Sequence, residues 1–117
     1  MADYKVLLVD TDGNPVSVAA VYAPTQGVDG SATITAGGTA QNLFSAATPA
    51  NGFEIGNPDA SEDLWVSDST TAAANGTGSY RVAANGGTYT TPTGYKPVGA
   101  VSIVGATTGH KITARKW

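Results

Sequence analysis

The 117-residue chain contains no cysteine and a single histidine, His110. Disulfides and thiolate metal sites are therefore excluded, and one histidine cannot supply the ligand set of a zinc centre. Large core-forming side chains are scarce as well. Leu, Ile, Val and Phe together fill 21 positions, about 18%, under the roughly 20% at which composition begins to argue for disorder. That argument also needs high net charge, and here the formal charge is only −3, with 13% charged residues. The chain reads as one folded domain with a thin core rich in Ala, Gly and Thr, stabilised by assembly or by docking on a larger surface. No apolar run approaches the roughly 20 residues of a membrane span. The opening Met1-Ala2-Asp3-Tyr4-Lys5 lacks the basic and apolar regions of a secretory signal. Synthesis in the cytoplasm and no membrane partner are the expectation.

Charge of one sign is missing from each part of the chain. Residues 1–75 hold all nine acids and only Lys5, a balance of −8. Residues 76–117 hold Arg81, Lys96, Lys111, Arg115 and Lys116 and no acid, a balance of +5. Scattered surface charge mostly serves solvation, but this segregation also suits contacts between subunits. The bases are too few for a stripe that tracks phosphates, so no nucleic acid is expected.

What is present is a succession of short β-branched segments punctuated by glycine. Residues 4–9 and 16–22 read as two strands around the turn Asp10-Thr11-Asp12-Gly13-Asn14-Pro15, and residues 23–31 as a linker. Further strands are expected at 32–35, 39–44, 52–58, 63–67, 79–83 and 88–90, with 68–78 as a mobile low-complexity loop. Ala46–Ala50 has room for one helical turn, and no segment carries the apolar periodicity of a longer helix. The last third of the chain holds the clearest pattern. Val101-Ser102-Ile103-Val104 and Ile112-Thr113-Ala114 flank the glycine-bounded Gly105–Gly109, which reads as a hairpin with a tight connection. Strands every 8–12 residues indicate an all-β fold, an antiparallel β-sandwich or jelly-roll-like barrel over 31–117, with an N-terminal hairpin or arm over 1–30.

No catalytic motif emerges. Asp10-x-Asp12-Gly13-Asn14 matches the start of a calcium loop, but Pro15 and Val21 stand where that loop needs glycine and a bidentate glutamate. Gly105-Ala106-Thr107-Thr108-Gly109-His110-Lys111 has three residues between its glycines and His110 in the lysine position, so it reads as a turn and not as a phosphate loop. His110 is the one candidate general base, yet no nucleophile elbow accompanies it, and a lone turn histidine is expected to be exposed. Glu54, Asp59, Glu62, Asp63 and Asp68 gather around Trp65, as a glycosidase or a sugar-stacking site would need. The simpler reading is a solvated rim with Trp65 in the core. Tyr80, Tyr89, Tyr95 and Trp117 read as core or interface anchors. Neither a metal nor another cofactor is expected.

Gly37-Gly38-Thr39-Ala40-Gln41-x-Leu43-Phe44, Gly52-Phe53-x-Ile55-x-Asn57-Pro58, Leu64-Trp65-Val66, Gly78-Ser79-Tyr80 and the run from Gly99 to Lys111 follow one another in an order that resembles small structural proteins of tailed bacteriophages, of the capsid decoration (cement) and head-fibre kind. The likeness spans about residues 32–117. It implies a β-sandwich or jelly roll, homotrimers at local threefold axes of a capsid, and no enzymatic activity. Such a protein would be made in the host cytoplasm and sit on the outer surface of the virion. Its partners would be the major capsid protein and copies of itself, with no small-molecule substrate. The N-terminal arm and the basic C-terminal strand are then the expected contacts, through Tyr4, Lys5, His110, Lys111, Arg115, Lys116 and Trp117. Two alternatives stand beside this: a carbohydrate- or receptor-binding module of a fibre or tail, using Trp65 or the tyrosines, and a neck or tail adaptor.

Overall fold

The computed structural model describes residues 11–14, 27–49 and 51–117. The expected strands at 4–9 and 16–22 lie outside the described residues, as do Tyr4 and Lys5. The turn between those segments is described at Thr11–Asn14, with Gly13 at φ 82°.

Nine strands follow: β1 (Val28–Asp29), β2 (Ala32–Thr33), β3 (Gln41–Phe44), β4 (Phe53–Asn57), β5 (Leu64–Ser67), β6 (Tyr80–Val82), β7 (Gly87–Thr90), β8 (Val101–Gly105) and β9 (Lys111–Lys116). They form two antiparallel sheets. One runs β1-β9-β4-β7, with β2 also paired to β9, and the other runs β3-β8-β5-β6. Apolar side chains from both inner faces meet between the layers. Phe53 and Ile55 of β4 and Ile112 of β9 face Phe44, Leu64, Val66, Val82, Val101 and Ile103 of the other sheet, with Ile34 closing one end. The protein is an all-β sandwich.

Alternation explains most of the strands. In β4 the pattern Phe53, Ile55, Asn57 is buried while Glu54 and Gly56 are half-buried. In β9 Ile112 points inward and Lys111, Thr113 and Arg115 point out. The bulge between Asn42 and Phe44 in β3 lets Leu43 join Phe44 against the core. β8 departs from alternation, because all five of its residues are buried. Its outward-facing Ser102 accepts a hydrogen bond from the Ala72 backbone N–H at 2.9 Å, and Ala72 is itself buried. The segment 68–78, read as a mobile loop, thus lies over the outside of this sheet and is tied to it.

The hairpin expected at the C-terminal third does not form. β8 pairs with β3 and β5, whereas β9 pairs with β1, β2 and β4 in the opposite sheet. Val101 and Ile103 therefore face the same core as Ile112 from the other side. The connection Ala106–His110 crosses the end of the sandwich, a span of ~10 Å between sheets. Gly109 takes φ 91° there, and its N–H bonds the Ile34 carbonyl at 2.8 Å. Two apolar runs around a glycine turn look alike whether they pair with each other or face each other, so the local pattern could not separate the two outcomes.

Two smaller expectations also change. Val28 and Asp29, read as part of a linker, pair with Lys116 and Arg115 as β1. Residues 46–47 form a turn, with Ala47 at φ 58°, where one helical turn had room.

Candidate functional site

Of the residues expected to make contacts, the five described ones are carried by β9 and its two ends. They do not share one surface. Lys111 and Arg115 project from the outer face of the sheet, where the Arg115 guanidinium pairs with Glu54 at 2.9 Å. Lys116 faces the other way, its ammonium 5.3 Å from the Phe44 ring centroid. Trp117 is pinned at the strand end, its N–H on the Gly52 carbonyl at 3.1 Å and its carbonyl receiving the Asn51 N–H at 2.7 Å. The Arg115 guanidinium lies 5.7 Å from the Trp117 ring centroid.

His110 overturns its expectation. It is only 4% exposed, and its side chain is wholly enclosed. The imidazole Nε2 stands 2.8 Å from Asn57 Oδ1. Asn57 Nδ2 donates to the carbonyls of Glu62 (2.8 Å) and Val82 (3.0 Å), so its oxygen must face the histidine and Nε2 must carry the proton. Nδ1 makes no hydrogen bond, and Glu62 Oε2 stands 3.6 Å from it. Glu62 Oε1 in turn accepts from the Thr107 hydroxyl at 2.5 Å. Gly105 makes room for the ring, since a Cβ there would stand 3.4 Å from Nδ1 and 3.1 Å from Ile34. With neither nitrogen open to solvent, this imidazole cannot reach a dissolved substrate or a partner surface. It ties the corner of the sandwich together. Neither the separation of 53 positions between Asn57 and His110 nor either residue type signals this pairing in the sequence.

The acids that cluster in sequence take different partners. Asp59 caps the backbone N–H groups of Ser61 (2.9 Å) and Glu62 (2.7 Å), which hold its carboxyl below the usual range. Asp63 is lowered by its bidentate bond to Arg81 (2.7 and 3.2 Å) and by the Ala84 N–H. Glu54 belongs to Arg115, Glu62 to Thr107, and Asp68 to Tyr95. Trp65 is half-buried and sits outside the core cluster. Leu64 and Val66 point inward on the same strand, so Trp65 must point out, where it lines an apolar groove with Ala72, Ala73 and Val104.

A cleft missed in the sequence opens between the 68–71 and 95–100 loops, with a volume of about 610 Å³. The Tyr95 hydroxyl donates to Asp68 Oδ2 at 2.5 Å across its rim. That hydrogen bond, then burial and the Asp68 charge, push the phenol up to about 12. Phe53 lies behind, its ring centroid 6.5 Å from Tyr95 and 5.8 Å from Tyr89, and Tyr80 follows at 5.4 Å from Tyr89. Partial burial raises the Tyr89 phenol too, aided by Asp68 and Tyr80. Tyr95 and Tyr80 are exposed, as are Val28 and Val98. The signal that could have located the cleft is Tyr95 among turn residues, since an aromatic in an exposed loop has little core to enter.

Comparison with protein-family models, with curated proteins and with solved structures returns no match to this chain.

Proposed function

We propose that this protein is a non-enzymatic structural component of a bacteriophage virion, which decorates the outer surface of the capsid and bridges neighbouring capsid subunits. The reading rests on the strand-and-turn order of residues 32–117 and on one observation from the fold. β1 pairs with β9 in the register Val28↔Lys116 and Asp29↔Arg115. The N-terminal segment therefore joins the sandwich directly beside the basic strand. β1 and the outward face of β9 that carries Lys111 and Arg115 thus lie side by side in one sheet, and this reading takes them as part of the contact surface. Hundreds of equivalent sites on a shell would stabilise such a thin-cored domain by mass action, and the bound domains would resist the outward pressure of packaged DNA. Copies of the chain would meet as homotrimers around local threefold axes.

The test uses shells of the major capsid protein assembled without this chain, mixed with the purified protein and separated on a density gradient. The full chain is expected to co-sediment with the shells. A chain lacking residues 2–26, which keeps β1, is expected to stay folded and remain at the top. If the shortened chain binds as well as the full one, the arm is not the anchor. If the full chain fails to bind, the capsid reading fails.

A further inference from the structure

The strongest unassigned feature is the cleft beside Tyr95. Its polar groups are arranged for a ligand and are not used up by the fold. Asp68 receives the Tyr95 hydroxyl on Oδ2 alone, which orients the carboxylate and leaves Oδ1 as an open acceptor. Asn42 contributes an exposed amide, and Lys96 an ammonium with no ion pair among the described residues. One acceptor, one donor and one amide that is both converge on a space within the size range of small-ligand clefts. The charges of Asp68 and Lys96 offset one another, so neither an anionic nor a cationic ligand is favoured.

A series of ring contacts leads from the cleft through the core to the edge strands β7 and β6. Tyr95, Phe53, Tyr89 and Tyr80 succeed one another at centroid separations of 6.5, 5.8 and 5.4 Å, from the loop rim to the exposed Tyr80 on β6. Phe53 is fully buried and fixes the two tyrosines that flank it. Tyr80 is 58% exposed, so its ring is accessible to a ligand. Amphipathic rings beside a fixed carboxylate and an amide complement a ligand with apolar C–H faces and rims of hydroxyl groups. That is the surface chemistry of a pyranose chain.

We propose that this cleft and its tyrosine row bind a neutral oligosaccharide, with Asp68 and Asn42 taking its hydroxyls and the rings of Tyr95 and Tyr80 stacking on successive sugars. This goes beyond the capsid reading and does not depend on it, because no residue of β9 lines the cleft.

The test is an amide NMR titration of the full chain with four probes: maltohexaose, cellohexaose, mannohexaose and chitohexaose. At least one is expected to shift resonances of residues 68–71, 80, 89 and 95–100 selectively, with a dissociation constant at or below about 1 mM. Asp68→Ala and Tyr80→Ala should each weaken that binding at least about tenfold, their remaining spectra certifying an intact fold. Lys111→Ala should bind normally. Silence with all four sugars at about 10 mM overturns the proposal, as does binding that survives both variants unchanged.

Discussion

Tyr95 shows how one hydrogen bond can report on a site. Its hydroxyl donates to Asp68, so ionisation would place a phenolate against a carboxylate; the phenol rises from its ordinary 10.0 to about 12. A proton held more tightly in the folded state stabilises that state fully below pH 10, and the contribution disappears as pH climbs towards 12. Ultraviolet titration of the phenolate band should therefore show a late-ionising component. The part of it that Tyr95→Phe removes should move back towards 10.0 in Asp68→Asn, and a Tyr95 component left unchanged by that substitution would show that Asp68 is not its cause. The sequence offered Tyr95 only as one anchor among several, because its partner lies 27 residues away. His110 was equally opaque. A histidine beside a glycine turn resembles any exposed polar residue, and its burial depends on Asn57 arriving from another strand.

At the scale of elements, Asn57 is the node where four segments meet. It ends β4, donates to the carbonyl of Val82 in β6 and to that of Glu62 before β5, and accepts from His110 at the β8–β9 corner. Asn57→Ala would take the amide partner from the part-buried Glu62 carbonyl and from the buried Val82 carbonyl and His110 N–H, at a cost of about 2–4 kcal/mol. Urea unfolding should show that loss, with the exposed Thr88→Ala within about 0.5 kcal/mol of the parent as control. A loss for Asn57→Ala under about 1 kcal/mol would mean that water replaces the network. The strands themselves were largely legible, since β-branched runs between glycines need little context. Their pairing was not. β8 and β9 resemble a hairpin, but β8 is buried on both faces and finds its partners in β3 and β5. Trp65 misled for a related reason: an aromatic on a strand suggests the core, yet its neighbours Leu64 and Val66 had already taken the inward positions.

At the scale of the whole molecule, the sandwich and its antiparallel sheets followed from strand spacing, while the layer each strand joins depended on contacts far apart in the chain. The opposed charges of the two parts meet within one chain at Arg81–Asp63 and Arg115–Glu54, leaving Lys96 and Lys111 without an ion pair among the described residues. The strand orders β1-β9-β4-β7 and β3-β8-β5-β6 carry a further consequence. Divide the chain at the 68–78 segment, and every hydrogen-bonded strand pair among the described residues joins one half to the other. The halves interlock like the teeth of a zip. A single protease cut in that segment should leave an assembly that elutes as one particle under native conditions and separates only in denaturant. Made apart, each half should remain unfolded, and mixing them should restore the β-sheet circular dichroism of the intact chain. A half that folds unaided would contradict the pairing. The described strands thus act as two interlocked partners that share one chain.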